Sequence, residues 1–251
     1  MSKIYRIGQI VPSSNTTMET EIPAMLNAHA QAHGTRFTFH ASRMRMKKVK
    51  REELAAMDAE SDRCAMELSD AHVDVLGYAC LVAIMSMGKS YHRVSQERLH
   101  GHTVENGAPA PVVTSAGALV DALHTLSAKR IAVVAPYMKP LTQLVIDYIE
   151  HEGVEVIDSR ALEIPDNIEV GRHDPARLPD IVSGMNGVAN VDAIVLSACV
   201  QMPSLPVIAE VEARTGKPVI TAAVATTYAM LKALELKPFV PGAGALLSGA
   251  Y

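Results

Sequence analysis

Short motifs in the second half of this 251-residue chain repeat those of the first half, in the same order. Residues 6–13 and 130–137 both begin with Arg-Ile, continue as an apolar run and reach a proline at the seventh position. Ser-Arg pairs follow at 42–43 and 159–160, and each half then has an apolar run ending in cysteine and a Pro-Val-x-Thr segment. Such ordered matches indicate two copies of one folding unit.

Each copy alternates strand-like apolar runs with longer amphipathic segments. This alternation is typical of βα units that build a parallel sheet with helices on both faces. We predict eight strands in two sets of four, near residues 4–11, 36–41, 73–79, 112–114, 130–135, 154–158, 192–198 and 218–221. The predicted helices lie near residues 16–33, 52–71, 91–100, 117–127, 140–152, 175–186, 204–215 and 224–236.

The predicted fold class is therefore α/β, with two similar four-stranded parallel-sheet halves that are each flavodoxin-like. The halves are expected to face each other about a pseudo-twofold axis, with the active site in the cleft between them. We place the N-terminal half at residues 1–116 and the C-terminal half at residues 117–222. Residues 223–251 can cross back onto the N-terminal half.

Composition and charge exclude several function classes. Apolar residues make up 49% of the chain, which is enough for a substantial core without disulfide or metal staples. The net charge of −4 and the sequence pI near 6.2 provide no field that would attract nucleic acid or an anionic membrane. The basic run at 43–51 is followed by Glu52 and Glu53, and we interpret it as a solvated loop that leads into a helix.

The start of the chain and its cysteines predict a cellular compartment. The chain enters a strand at once, and no apolar run approaches the ~20 residues that a membrane span requires. We therefore expect a cytoplasmic protein. Three cysteines, an odd number without the spacing of a disulfide framework, fit a reducing compartment in which thiols stay free.

Two of these cysteines end matching strands. Cys80 closes the run at 73–80 and Cys199 closes the run at 191–199, and both runs open with Val-Asp. Open parallel sheets bind ligands at the carboxyl ends of their strands, so the two thiols are expected on opposite sides of one bound molecule. A single strand-end cysteine is usually a small buried hydrophobe, but a matched pair predicts a two-thiol active site. Cys64 lies inside a predicted helix, and a core position explains it without any catalytic role.

The surroundings of the two cysteines differ. We expect the dipole of the helix at 204–215 to favour a thiolate at Cys199, because nearby prolines suit the first turn of a helix. A longer stretch, 81–88, separates Cys80 from its next predicted helix. Asp74 and Asp192 open the two cysteine strands, so we expect them to cap loops at the end of the sheet opposite to the site.

Polar residues follow the first strand of each half. Asn15 lies where the first strand turns into a helix, and either Ser14 or Asn15 can simply cap that helix. A helix N-terminus with Asn and Ser around it can equally bind a carboxylate, and the two interpretations are compatible. Tyr137 occupies the matching place in the second half, whereas Asn167, after the sixth strand, is interpreted from the residues alone as a turn residue.

Metal and nucleotide sites are not indicated. The ten histidines form no ligand pattern beyond His100 and His102, and no carboxylate joins these two at a useful spacing. The sequence also lacks the glycine-rich dinucleotide motif, the P-loop and the Gly-x-Ser-x-Gly nucleophile elbow. We therefore predict a site without a bound metal.

The double repeat with one cysteine in each half resembles the aspartate/glutamate racemase superfamily and, within it, the family of maleate cis-trans isomerases. The resemblance spans essentially the whole chain. Its most specific marks are the Val-Pro-Ser-Ser-Asn turn at 11–15, Cys80, the Val-Ala-Pro-Tyr turn at 134–137, Asn167 and Cys199.

This resemblance implies the conversion of maleate to fumarate without an organic cofactor or a metal. It assigns Cys80 as the nucleophile and Cys199 as the proton donor. The residues expected to contact the substrate are Asn15, Tyr137, Asn167, Ser13, Ser14, Leu81, Val82 and Val200. A homodimer is the assembly expected from the family.

The chain departs from other branches of the superfamily. Racemases carry Asp-Ser after the first strand, Cys-Asn-Thr at the first cysteine and Cys-Thr-His or Cys-Thr-Glu at the second. This chain has Pro-Ser-Ser at 12–14, Cys-Leu-Val at 80–82 and Cys-Val-Gln at 199–201, so the acid and base for racemisation are missing. Arylmalonate decarboxylases usually keep only the second cysteine, so Cys80 argues against decarboxylation. Racemase, decarboxylase and a non-catalytic dicarboxylate-binding module stay as alternatives.

Overall fold

A computed structural model describes residues 3–46 and 51–251; residues 47–50 of the predicted basic loop lie outside the described residues. The described residues form eight strands: β1 Ile4–Pro12, β2 Arg36–Met44, β3 Val75–Tyr78, β4 Val112–Thr114, β5 Arg130–Ala135, β6 Glu155–Ala161, β7 Ala193–Ser197 and β8 Val219–Thr221. Their helices are α1 Met18–His33, α2 Arg51–Asp70, α3 Leu81–Ser86, α4 Tyr91–Glu105, α5 Ser115–Thr125, α6 Lys139–His151, α7 Asn167–Gly171, α8 Leu178–Ser183, α9 Ile208–Thr215 and α10 Ala222–Ala233.

The strands form two parallel sheets with the same strand order. The first sheet has the order β2-β1-β3-β4 and the second has the order β6-β5-β7-β8. All pairs within each sheet are parallel. The predicted α/β class with two similar four-stranded halves is therefore confirmed.

The strand order determines where a ligand can bind. In each half the second strand pairs with one edge of the first strand, and the third strand pairs with its other edge. As a result β1 lies next to β3, and β5 lies next to β7. A ligand crevice opens at the carboxyl ends of the strands where the order reverses. The loops after β1, β3, β5 and β7 are therefore the ones that build a site.

The inner strands form the core of each half. Every residue of β3 and of β7 is buried, and the last six residues of β1 are buried as well. Parallel strands covered by helices on both faces need apolar residues on both faces, which explains the continuous apolar runs in the sequence.

Asp74 and Asp192 lie at the opposite end of the sheets, as predicted. The carboxylate of Asp74 accepts a hydrogen bond from the Arg6 backbone N–H at 2.7 Å. The carboxylate of Asp192 accepts from the backbone N–H groups of Lys129 at 2.9 Å and Arg130 at 2.8 Å. These bonds fix the start of the first strand in each half, and they lower the pKa of Asp192.

Two short helices at the site edge were not predicted. Helix α3 begins directly after Cys80, so the expectation of a long non-helical stretch at 81–88 is wrong. Residues 81–85 are all buried, and a helix buried on every side shows no amphipathic period. Helix α7 follows β6, and the side chain of Asp166 caps it by accepting from the N–H groups of Ile168 and Glu169.

The C-terminal helix packs onto the N-terminal half. Helix α10 contacts α5, α1, β3 and β4, and its Met230 lies over Gly77 of β3. These contacts fit the expectation that residues 223–251 cross back onto the N-terminal half. The domain boundary between residues 116 and 117 stays a prediction. No helix in the described part of the chain is long and apolar enough to cross a membrane.

The packing of α10 on β3 predicts the effect of substitutions at two glycines. A Cβ at Gly77 would collide with the Met230 methyl and lie 3.5 Å from the Met18 methyl, so Gly77→Ala should lower the free energy of unfolding by about 1–3 kcal/mol. Gly101, within α4, has no atom within 4 Å of the place that an added methyl would occupy, so Gly101→Ala should raise that free energy by about 0.5–1 kcal/mol. Urea denaturation measures both, and equal effects would contradict this packing.

Candidate active site

A cavity of about 300 Å³, open mouth included, lies at the carboxyl ends of the inner strands. Residues from both halves line it: Pro12, Asn15, Met46, Ala79, Cys80, Leu81, Val82, Tyr137, Asn167, Cys199, Val200 and Gln201. Both cysteines predicted to act together therefore face one small space. All predicted substrate contacts except Ser13 and Ser14 line it as well.

Ser13 and Ser14 support the cavity wall from behind. The Ser13 hydroxyl donates to the carbonyl of Met46 at 3.2 Å and accepts from the Met46 N–H at 3.0 Å. The Ser14 hydroxyl accepts a hydrogen bond from Nδ2 of Asn167 at 2.9 Å. The two serines thus hold lining residues, and their contact with the substrate stays a prediction.

Cys80 lies at the start of a helix. Its backbone is non-helical, with φ −139° and ψ 87°, as the N-cap of α3, and the residue is 8% exposed. Burial raises the pKa of the Cys80 thiol to about 12, and the backbone N–H of Ala83 opposes this rise. A helix N-terminus therefore lies at Cys80, where the sequence predicted none.

Cys199 is followed by a turn instead of a helix. The Met202 N–H donates to the Cys199 carbonyl at 3.3 Å, and the Ser197 hydroxyl donates to the same carbonyl at 2.7 Å. Burial raises the pKa of the Cys199 thiol, whereas the Tyr137 hydroxyl and the N–H groups of Gln201 and Met202 lower it. A 3-10 turn at Leu205–Val207 leads directly into α9, so the predicted helix at 204–215 is present, and its effect on the Cys199 thiol stays a prediction.

Tyr137 lies between the two halves of the site. Its hydroxyl donates to the Ala198 carbonyl at 3.1 Å and also lies within hydrogen-bonding reach of the Cys199 thiol. Complete burial raises its pKa well above the ordinary range, so the phenol keeps its proton. Tyr137 is therefore a neutral hydrogen-bond donor beside Cys199.

Asn15 serves as a cap and as a wall of the cavity. Its Oδ1 accepts from the Met18 N–H at 3.0 Å, which satisfies a free amide in the first turn of α1. This bond orients the side chain, and its Nδ2 is left as a donor for a ligand in the cavity. Arg43 holds the Asn15 carbonyl at 2.8 Å and forms an ion pair with Glu19 at 2.7 Å.

Asn167 is the first residue of α7. Its side chain lines the cavity and donates to Ser14 in the other half, so its structural place is more than that of a turn residue. Nδ2 of Asn167 carries two hydrogens, so one of them remains for a ligand after the bond to Ser14.

Gln201, which is 1% exposed, was not predicted from the sequence as a site residue. Its Oε1 accepts from the N–H groups of Thr16 at 2.9 Å and Thr17 at 3.2 Å. Its Nε2 donates to the carbonyls of Ser14 at 3.1 Å and Asn167 at 2.9 Å. A polar amide two residues after a buried cysteine, in an otherwise apolar turn, was the signal that could have identified it.

The described residues that line the cavity are uncharged: none of them is Lys, Arg or His. In the described ranges, no group of His, Cys, Asp and Glu side chains could hold a metal ion. His100 instead bonds the Ala110 carbonyl at 2.9 Å, and Cys64 is fully buried in α2, the core position expected for it.

Comparisons with known proteins agree with this geometry. Residues 7–247 match the family model described as arylmalonate decarboxylase. A maleate isomerase of Pseudomonas putida strain KT2440 is 74% identical over 251 residues, covering 100% of each chain. The crystal structure of a maleate isomerase variant from Pseudomonas putida S16 with maleate has a TM-score of 0.98 at 67% identity and covers 99% of each chain.

A second solved relative carries a covalent intermediate. It is a cysteine-to-serine variant of the Nocardia farcinica maleate cis-trans isomerase with a covalently bound succinylcysteine. Its TM-score is 0.95 at 45% identity, and the match covers 99% of this chain and 100% of that chain. Identity over the full length, together with the matching structures, shows that this chain belongs to the maleate isomerase family of the aspartate/glutamate racemase superfamily.

Proposed function

We propose that the chain isomerises maleate to fumarate through a covalent cysteine adduct. The observation that carries this proposal is that Cys80 and Cys199, at matching strand ends of the two halves, line one small cavity. Conjugate addition to an alkene needs a soft nucleophile and a proton donor close to the neighbouring carbon. Two thiols on one substrate supply both.

The reaction begins when the Cys80 thiolate adds to one alkene carbon of maleate. The sulfur–carbon bond forms as the π electrons move to the neighbouring carbon, which takes a proton from the Cys199 thiol. A single bond now joins the two carbons, so the succinyl adduct rotates about it. The Cys199 thiolate then removes the proton, the sulfur–carbon bond breaks, and fumarate leaves with the Cys80 thiolate restored.

Neutral donors suit this reaction. The side chains of Asn15, Asn167 and Tyr137, with the backbone amides after each cysteine, can hold the carboxylate that becomes enolate-like in the transition state. Arginine clamps on both carboxylates would oppose the rotation that the reaction requires. Among the described residues that line the cavity the hydrogen-bond donors are neutral, which fits isomerisation.

The assignment of the nucleophile has independent support. The Nocardia farcinica variant that holds a succinylcysteine has lost one cysteine, so the adduct formed on a remaining one. The replaced cysteine lies in the second half of that chain, as Cys199 does in this one. By analogy the adduct in this chain forms on Cys80, and Cys199 handles the proton.

The cellular setting follows from the same site. We infer a cytoplasmic enzyme, because the mechanism needs two reduced thiols and Cys64, Cys80 and Cys199 are all free.

The chemistry described needs neither an organic cofactor nor a metal. The maleate-bound relative supports a small dicarboxylate as the partner. A homodimer without nucleic-acid or membrane partners stays an expectation from the sequence.

Removing either thiol tests the two-thiol mechanism. Cys80→Ala and Cys199→Ala should each lower kcat by at least about a hundredfold, because each removes a group that acts on the reacting carbons. Proton NMR of maleate in D2O follows the appearance of fumarate. Cys64→Ala, which changes a thiol outside the cavity, is the control and should stay active. Full activity in either cavity variant would exclude the mechanism, and no fumarate from the unaltered protein would exclude the function.

Alkylation tests whether the thiols face the substrate. Iodoacetamide should inactivate the enzyme faster as pH rises, because burial raises the pKa of both thiols and only the thiolate reacts. Below the pKa, each pH unit should give about a tenfold faster reaction. Maleate should protect both cysteines, as read by peptide mass spectrometry. Inactivation that labels only Cys64, or that maleate does not slow, would contradict a cavity containing both thiols.

A further inference from the structure

The side-chain amide of Gln201 uses its full hydrogen-bonding capacity on backbone groups. Its Oε1 accepts from the N–H groups of Thr16 and Thr17. Its Nε2 donates to the carbonyls of Ser14 and Asn167. A primary amide offers two acceptor positions and two donor hydrogens, so all four are occupied. Gln201 therefore lines the cavity without a free side-chain group that could hold the substrate.

The partners of this amide belong to the loops that carry two cavity asparagines. Two of them are the residues directly before and after Asn15, and a third is the carbonyl of Asn167 itself. The side chains of Asn15 and Asn167 both line the cavity. Since Gln201 lies two residues after Cys199, one side chain connects both asparagines to the turn that carries this cysteine.

Two further hydrogen bonds join the same segments. The Thr17 hydroxyl donates to the Gln201 carbonyl at 2.7 Å, which fixes the backbone of the turn as well. Nδ2 of Asn167 donates to the Ser14 hydroxyl. The segments that follow β1, β6 and β7 are therefore bonded to one another in all three pairs, so none of them can shift without breaking bonds to the other two.

Helix α7 packs directly on this amide at Gly171. A Cβ on Gly171 would overlap Nε2 of Gln201 and would lie 3.0 Å from its Cδ. Gly171 is the last residue of the helix that begins with Asn167, and a helix favours alanine over glycine. The close approach of α7 to Gln201 therefore accounts for the glycine.

Glu21 provides a matched comparison at the same junction. It is a buried residue of α1, and its Oε1 accepts from the backbone N–H groups of Ser204 and Leu205 in the other half. Neither of these partners is among the residues that line the cavity. Glu21 thus joins the halves as Gln201 does, but it holds no group that faces the substrate.

We propose that Gln201 is a positioning residue, which holds the amides of Asn15 and Asn167 at a fixed place relative to the Cys199 thiol. This role rests on the proposed function. Addition to maleate and transfer of the proton require both alkene carbons to align with the thiols, and the groups that hold the carboxylates determine that alignment. A displacement of about 1 Å can lower a rate on the order of a hundredfold.

Gln201→Met tests this role directly. Methionine has nearly the length of glutamine but makes none of the four hydrogen bonds. We expect kcat to fall at least about tenfold and KM to change less than about threefold, because the asparagine donors remain present but lie out of place. Proton NMR of maleate conversion gives kcat and KM, and urea denaturation confirms that the variant is folded.

Gly171→Ala displaces the Gln201 amide without removing any hydrogen-bonding group. It should lower kcat in the same way, and it decides the test if Gln201→Met does not fold. Gly101→Ala makes the same substitution where an added methyl meets no atom within 4 Å, so it should leave kcat unchanged.

Glu21→Ala separates positioning from general loosening of the junction. It removes two hydrogen bonds between the halves, so it should lower the free energy of unfolding while kcat stays close to that of the unaltered protein.

The positioning role is supported if kcat falls in the variants directed at the Gln201 amide but not in Glu21→Ala. It is overturned if these variants keep the kcat of the unaltered protein or change KM alone, or if Glu21→Ala lowers kcat as much as they do. Normal turnover in all variants removes the positioning role and leaves the isomerase function intact, whereas no fumarate from the unaltered protein removes both.

Discussion

The side-chain amide of Gln201 joins the two halves of the molecule beside the cavity. It makes four hydrogen bonds to backbone groups at 2.9–3.2 Å, three of them in the N-terminal half and one at Asn167. A buried polar group left without its partner costs about 1–3 kcal/mol, so this amide holds its position firmly. It fixes the turn that follows Cys199 against the start of α1 and thereby sets the distance between the two cavity walls.

Other buried groups reinforce the same junction. Oε1 of Glu21, on α1, accepts from the N–H groups of Ser204 at 2.7 Å and Leu205 at 2.8 Å. Burial raises the pKa of this carboxyl, and the two amides oppose that rise. Elsewhere between the halves, Nδ1 of His92 and the Tyr148 hydroxyl lie 2.6 Å apart. Buried hydrogen bonds of this kind fix the two sheets relative to each other, because each bond forms only when the halves are correctly docked.

The sequence was sufficient for the fold and for the main cavity residues. An internal repeat and continuous apolar runs predicted both sheets, because buried strands consist of apolar residues. The position of Cys80 and Cys199 at matching strand ends predicted that they lie at one cavity. Helix α3 was missed because a helix with five of its six residues buried has no amphipathic period to detect. The part played by Gln201 could not be read from the sequence, since its partners near residues 14–17 lie more than 180 positions away. Long-range hydrogen bonds of single polar residues leave no local pattern.

A duplicated fold places two equivalent thiols around one substrate, but addition and proton transfer are different tasks. The differences therefore have to come from residues at which the two halves no longer match. Tyr137 stands where the first half has Ser13 and places a phenol beside Cys199, while Tyr78 stands where the second half has Ser197 and donates to the buried carboxylate of Asp58. Burial raises the pKa of both thiols, and the Tyr137 hydroxyl opposes this rise at Cys199. We propose that these mismatches, together with helix α3 after Cys80 and the turn after Cys199, give the two thiols separate roles.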